Sequence, residues 1–249
     1  ILYLDLSQAH SGTFDITFVN GEKKFVYAYE LKERKESTDD IQGYDSSDVL
    51  YLIMPDRFAN GDQSNDQISM STEYVMDRSK PGARHGGDLK GIEDHLDYFV
   101  DLGVTAIWLN PVLENDGKGG SYHGYFSTDM FHVDRRLGSN EDYLRLINKA
   151  HQKGLRVVMD MIFNHIGANH PWVLDVPSKD WFNVSPSKRG NHAKAIFYDN
   201  YASTYDSEVM KYAGFGIDLN QANPHVGKYL IQNSIWWIEY ARIDAIRQD

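Results

Sequence analysis

The last six residues, Asp244-Ala245-Ile246-Arg247-Gln248-Asp249, set two carboxylates around one guanidinium. A guanidinium beside a carboxylate favours the ionised form, and residues i and i+2 of a strand share a face, which is where Arg247 and Asp249 would stand. A carboxylate kept ionised can serve as a nucleophile. Asp244 competes for that role, with Arg242 two residues before it. Taken alone, the string is also what a solvated charged edge looks like. A second stretch, DRFANGDQSND (Asp56–Asp66), crowds Asn and Asp oxygens around Gly61. Oxygen ligands suit a hard cation such as Ca2+, although this spacing is not that of an EF-hand. The same composition also makes an Asx-rich turn with no metal.

Placing such groups falls to an alternation of apolar runs and amphipathic segments. Val49–Met54, Val104–Val112 and Leu155–Phe163 are near-continuous apolar runs, and Ala241–Asp249 returns to strand character. Between them, Gly91–Gly103, Ser139–Gly154 and Asn223–Ala241 have helical spacing. The second of these segments opens on a cap at Ser139 or Asn140 and stops at Gly154, and the third has Pro224 near its start. Buried, unalternating strands separated by helices predict a parallel sheet wrapped by helices. Four strands with three helices between them are half of a (β/α)8 barrel or part of a doubly wound sheet. In a barrel the active site gathers at the C-terminal ends of the strands. Each run here is followed by polar groups: Pro55-Asp56-Arg57-Phe58, Asn110-Pro111, Asn164-His165 and Arg247-Gln248-Asp249. A long insertion rich in Trp, Asn, Asp and Tyr, about residues 166–222, reads as a functional loop or small lobe.

Residues 1–31 alternate instead. Leu2, Leu4 and Leu6 share one face, Phe14, Ile16 and Phe18 another, and Phe25, Tyr27, Tyr29 and Leu31 a third, with a hairpin turn at Asn20-Gly21. Three short strands are too few to be stable alone, so they read as the C-terminal strands of a larger β-sandwich. The charged stretch 32–48 reads as a linker to a region spanning 49–249.

Composition narrows the partners. The 249 residues are 41% hydrophobic, enough for a sizeable core in one or two domains. A net charge of −11 argues against nucleic acid, because nothing offsets phosphate repulsion, and leaves neutral sugars and cations open. With 16 Tyr and 5 Trp, stacking platforms for sugar rings are available, although ordinary packing accounts for most of them. No apolar run is long enough to span a membrane. Cysteine is absent, so disulfides play no part. The opening ILYLDL reads as mid-strand without an initiator methionine, as in an internal piece of a longer chain, and leaves the compartment open between periplasm and cytoplasm.

Several stretches together resemble the α-amylase family of retaining glycoside hydrolases, and within it the neopullulanase, cyclomaltodextrinase and maltogenic amylase branch. They are DRFANGDQSND, HGGDLKGI (His85–Ile92), YHGYFSTD (Tyr122–Asp129), DMIFNH (Asp160–His165) and DAIRQD, in the family's order along most of residues 48–249. The resemblance implies a (β/α)8 barrel preceded by a β-sandwich. It implies that Asp249 is the nucleophile, with Arg247 two residues before it, and that Asp244 merely opens the motif, in which Ala245 stands where glycine is common. His165 would hydrogen-bond a hydroxyl of the sugar in the cleavage subsite, Tyr125 would stack on that sugar, and His123 would reach a hydroxyl there. Asp160 would organise Arg247 or the strand ends rather than react.

Retention requires a second carboxyl group roughly 5–5.5 Å from the nucleophile. The resemblance places that acid/base glutamate, and an aspartate with histidine, beyond Asp249. The fragment alone is therefore expected to be inactive. The implied calcium ligands are Asn60, Asp62, Asn65, Asp66, Asp88 and the carbonyl of Gly86, in a structural site remote from the chemistry. The implied substrates are α-glucan oligosaccharides with α-1,4 and α-1,6 bonds, and the branch commonly forms homodimers. One departure stands out. The branch's Met-Pro-Lys-Leu-Asn signature is replaced by Gly216-Ile217-Asp218-Leu219-Asn220, which loosens the link to any one specificity. A non-catalytic glucan-binding scaffold on the same barrel is the competing reading.

Overall fold

The computed structural model describes residues 4–33, 41, 43–68, 76–117, 120–183 and 216–249. The chain divides into two compact units, Ile1–Asp40 and Ile41–Asp249. In the first, β1 (Gly12–Asn20) and β2 (Lys23–Leu31) form an antiparallel hairpin in which Asn20 faces Lys23 and Gly12 faces Leu31. The two-residue loop is Gly21-Glu22, and only Gly21 takes positive φ (61°), so Asn20 remains a strand residue. Phe14 packs on Tyr29 and Phe18 on Phe25 across the strands, with ring centroids 5.3 and 6.0 Å apart. The strand expected at Leu2–Leu6 is not formed over residues 4–6, and Leu2 lies outside the described residues. The reason is local: the Asp5 carboxylate accepts the Ser7 N–H at 3.0 Å, and the Ala9 N–H bonds to the Leu6 carbonyl, which folds the segment into turns.

The second unit contains β3 (Leu50–Ile53), β4 (Ala106–Leu109), β5 (Arg156–Met161) and β8 (Ala245–Gln248), with the short β6 (His165–Ile166) and β7 (Ile217–Asp218) between the last two. The four longer strands are parallel and lie side by side in the order β3-β4-β5-β8. This order runs in one direction with no reversal, and a doubly wound sheet needs a reversal to make its crevice. An arc of a barrel therefore fits the described strands. Among the described residues five helices accompany them: α1 (Pro55–Phe58), α2 (Leu89–Asp94), α3 (Leu96–Asp101), α4 (Asn140–Gln152) and α5 (Pro224–Ala241).

The helix expected over Gly91–Gly103 is split into α2 and α3 at His95. The His95 ring bonds through Nδ1 to the Gly91 carbonyl at 2.7 Å, the acceptor its own N–H would use in a continuous helix, and that N–H turns to Ile92 instead. α4 begins with a capping box in which Ser139 and Asp142 exchange side-chain and backbone bonds. α5 starts on Asn223, whose side chain accepts the His225 N–H, and ends on Arg242 in the left-handed conformation (φ 55°). The core lies between sheet and helices. Ile107, Leu109, Val157 and Met159 from the inner strands meet Tyr143, Leu146 and Ile147 of α4 and Trp237 of α5, all buried.

Of the expected linker, 32–48, residues 34–40 and 42 lie outside the described residues. Asp48 accepts hydrogen bonds from Thr105 at 2.7 Å and Arg156 at 2.5 Å, which ties it to the N-terminal side of β4 and β5. Of the expected lobe at 166–222, residues 184–215 lie outside the described residues. Its root is the antiparallel pairing of β6 with β7, His165 opposite Asp218. No described helix is long and apolar enough to cross a membrane.

Candidate active site

The C-terminal ends of β4, β5 and β8 converge on Asp160, whose side chain is fully buried. Asp160 stands opposite Arg247 in the β5–β8 register. Nη1 of Arg247 donates to both Asp160 oxygens at 3.2 Å and to Oδ1 of Asp249 at 2.6 Å. The Tyr125 hydroxyl donates to Oδ2 of Asp160 at 2.9 Å, and Nε1 of Trp108 to the same oxygen at 3.0 Å. The Arg247 guanidinium also lies 5.1 Å from the Trp108 ring centroid. Backbone pairing fixes the end of the chain, because the Asp249 N–H continues the ladder to the Met161 carbonyl at 2.9 Å. Asp249 and Tyr125 thus belong to one hydrogen-bonded chain running through Arg247 and Asp160.

Burial pushes the Asp160 carboxyl upward against the pull of Tyr125, Trp108 and Arg247. Those three groups all donate to it, so the carboxylate is the form that its hydrogen bonds fit. Burial alone would make Arg247 a weaker base, but Asp160 and Asp249 hold it more firmly protonated than usual. Burial first, and then Asp160, pushes the Tyr125 phenol well up, so the hydroxyl stays a donor.

Tyr125 is carried by a tight turn. Residues Ser121–His123 form one 3-10 turn, followed by Gly124 at φ 89°. A Cβ on Gly124 would fall 2.2 Å from the Pro111 carbonyl, so only glycine fits between His123 and Tyr125. Nδ1 of His123 accepts the Tyr125 N–H at 3.0 Å, which puts the ring proton on Nε2. Nε2 of His165 lies 2.9 Å from the Tyr125 carbonyl, and Nδ1 lies 3.2 Å from the Asn164 amide. These partners assign the proton to Nε2, and burial depresses the pKa, so the ring is neutral. A sugar hydroxyl would have to compete with the Tyr125 carbonyl for that proton. Across the β6–β7 pairing, burial raises Asp218 to about 6 despite a 2.6 Å bond from Asn183.

Asp244 is not part of this cluster. It immediately precedes β8, at the opposite end of the strand from Asp249, and accepts the Val157 N–H at 2.7 Å and Nε2 of His151 at 2.8 Å. Trp108 is the member that sequence reasoning missed. Its signal was a single indole in an otherwise aliphatic strand, two residues before Asn110.

The oxygen-rich loop lies in the neighbouring β3 exit. The Asn60 amide donates to Asp66 at 2.6 Å. The side-chain oxygens of Asn60 and Asn65 are buried without a hydrogen-bond partner. Gly86 packs against the same groups, since a Cβ there would meet Asp66 at 2.5 Å and Asn60 at 2.9 Å. Burial raises Asp66, and the carboxylates of Asp88 and Asp62 add to the effect. Asp62 accepts Ser64 N–H and O–H at 2.9 and 2.6 Å. Asp88 caps α2, taking N–H groups from Gly91, Gly61 and Asp62, which occupies most of its acceptor capacity. Among the described residues no group of three or more His, Cys, Asp or Glu gathers for a metal, so any ion here would depend on amide and carbonyl oxygens as well. Orphaned amide oxygens beside a carboxylate fit Ca2+, whose coordination is irregular and all-oxygen.

The described parallel strands thus form a β/α arc with a carboxylate–arginine–carboxylate chain at its C-terminal strand ends. The chain belongs to the α-amylase family, matching the alpha amylase catalytic domain over residues 52–249. It is 36% identical to the intracellular maltogenic amylase of Bacillus subtilis over 213 residues, which is 82% of this chain and 33% of that one. It is 31% identical to neopullulanase 2 of Thermoactinomyces vulgaris over 237 residues, 90% of this chain and 37% of that one. Among solved structures, an Anoxybacillus α-amylase superposes with a TM-score of 0.66 at 38% identity, covering 81% of this chain and 40% of that one. The chain therefore spans about a third of the length of the curated relatives it matches. The four parallel strands are an arc of the (β/α)8 barrel shared by these enzymes.

Proposed function

We propose that the full-length protein is a retaining α-glucan hydrolase acting on α-1,4 bonds, and on α-1,6 bonds, of maltodextrins, cyclodextrins or pullulan, with transglycosylation as a side reaction. The hydrogen-bonded chain Tyr125–Asp160–Arg247–Asp249 at the strand ends carries this reading. The names of the relatives, maltogenic amylase, cyclomaltodextrinase and neopullulanase, support the substrate class. Asp249 attacks the anomeric carbon and forms a glycosyl ester as the bond to the leaving oxygen breaks. A carboxylic acid from outside these residues gives that oxygen its proton, and water then cleaves the ester. Arg247 holds the attacking carboxylate in place through the 2.6 Å bond from its Nη1 to Oδ1 of Asp249. Asp160 holds Arg247, and Tyr125 offers its ring to the sugar. His165 and His123 each present an Nε2 proton, His165 by exchanging the Tyr125 carbonyl for a hydroxyl.

A mechanism-based glycosyl fluoride should label Asp249 covalently in the full-length protein, and peptide mass spectrometry would locate the adduct. An adduct on any other carboxylate overturns the assignment. A calcium ion held by Asn60, Asn65, Asp66 and the Gly86 carbonyl, with Asp62 and Asp88 shaping the loop, would supply stability rather than chemistry.

A further inference from the structure

The DRF triplet after β3 contains a cation that neither the cluster at Asp160 nor the oxygen-rich loop uses. Arg57 is held by three hydrogen bonds: Nε to Asp56 at 2.8 Å, and Nη2 to the Pro81 and Ala83 carbonyls at 2.7 and 2.8 Å. Asp56 is itself buried and fixed by the His85 N–H at 3.0 Å. So anchored, the guanidinium lies over the Tyr122 ring, 3.8 Å from its centroid. A flat guanidinium on an aromatic face is attracted by the ring quadrupole, more strongly where water is excluded. Arg57 is only 25% exposed at its side chain.

Tyr122 is the middle residue of the one-turn helix that delivers His123 and Tyr125. The β4 side of the fold fixes the ends of this turn, with Asn115 on the Ser121 carbonyl at 2.5 Å and Asn110 on the His123 carbonyl at 3.2 Å. Arg57 fixes its middle from the β3 exit. We infer that Arg57 is a positioning residue: through Tyr122 it sets where the His123 and Tyr125 rings stand at the sugar subsite. This rests on the hydrolase reading above.

In the full-length protein acting on maltotriose, Arg57→Lys keeps the charge but loses the guanidinium that bonds Asp56 and two carbonyls while its Cζ lies over the Tyr122 ring. Its KM should rise about fivefold and its kcat fall about tenfold, because the displaced rings meet the sugar in both ground and transition states. Tyr122→Leu should reproduce both changes, Tyr122→Phe should stay within about twofold of wild type, and the double variant Arg57→Lys/Tyr122→Leu should be no worse than the poorer single one. A merely structural role would lower the active fraction and leave KM unchanged. An unchanged KM in Arg57→Lys, or full additivity in the double variant, overturns the inference. Tyr125→Ala separates the two levels. If it is impaired while Arg57→Lys is normal, only the role of Arg57 fails, whereas a wild-type protein inert on all α-glucans removes the hydrolase reading itself.

Discussion

Asp244 and Asp249 carry the same side chain five positions apart, and the bonds around them separate their roles. Asp249 shares Nη1 of Arg247 with a buried carboxylate at the strand end, whereas Asp244 accepts the Val157 N–H and a histidine at the other end of the strand. Replacing Asp249 with Asn keeps the shape but removes the nucleophile, so hydrolysis by the full-length protein should fall at least ~10^3-fold while glucan binding persists. Asp244→Asn should instead lower stability by about 1–2 kcal/mol, the scale of a weakened charge-assisted bond, with kcat/KM within about twofold. Denaturant titration beside steady-state kinetics distinguishes them, and an inactive but stable Asp244→Asn enzyme would reverse the assignment. The i, i+2 relation of Arg247 and Asp249 was legible in the sequence because strand periodicity is local. The indole of Trp108 on Asp160 was not, since that contact depends on how neighbouring strands are staggered.

Elements were legible where their ends are written in side-chain chemistry. A cap at Ser139 or Asn140 and a proline at 224 were readable in the sequence, and the structure caps α4 on Ser139 and starts α5 at Pro224. Ser139→Ala should therefore cost about 1 kcal/mol, read as a lower denaturation midpoint with unchanged slope. The break between α2 and α3 was hidden, because apolar spacing continues through His95 while the ring takes the helix's own carbonyl. The root of the inserted segment makes a sharper prediction. His170 is 6% exposed, its ring lies 4.4 Å from that of Trp172, and its Nδ1 accepts the Trp172 N–H at 3.1 Å. Burial depresses its pKa to about 4, against a weaker pull from Asp129. A base depressed in the folded state contributes stability that is present above its unfolded pKa and is lost as pH falls towards the folded value. Stability should then drop by about 3 kcal/mol between roughly pH 6.5 and pH 4. His170→Asn keeps an acceptor without a proton to gain, so it should flatten that slope. An unchanged slope would mean that other groups govern acid stability.

At the scale of the whole molecule, alternation of buried strands with helices was enough to foresee a parallel sheet, and the uniform strand order decides for a barrel arc. Leu50 and Leu52 on β3 are 42% and 51% exposed, as apolar residues on an outer strand of an open arc must be. What the sequence left open was whether DRFANGDQSND is a cation loop or only a turn, because composition alone supports both. Buried, unpartnered oxygens on Asn60 and Asn65 beside Asp66 favour the cation, since an orphaned polar atom costs free energy that an ion would recover. A ligand that binds only the folded state adds RT ln(1 + [L]/Kd), about 2.7 kcal/mol at a hundredfold excess over Kd. Chelation should lower the melting temperature of the full-length protein, and added Ca2+ should restore it. Asp66→Ala should remove this sensitivity, because it deletes the carboxylate to which the Asn60 amide is bonded. Hydrolysis measured below the lowered melting temperature should survive chelation, since none of these ligands belongs to the Asp160 cluster. Equal melting curves with and without chelator would leave the loop as an Asx-rich turn whose two amide oxygens are satisfied by water.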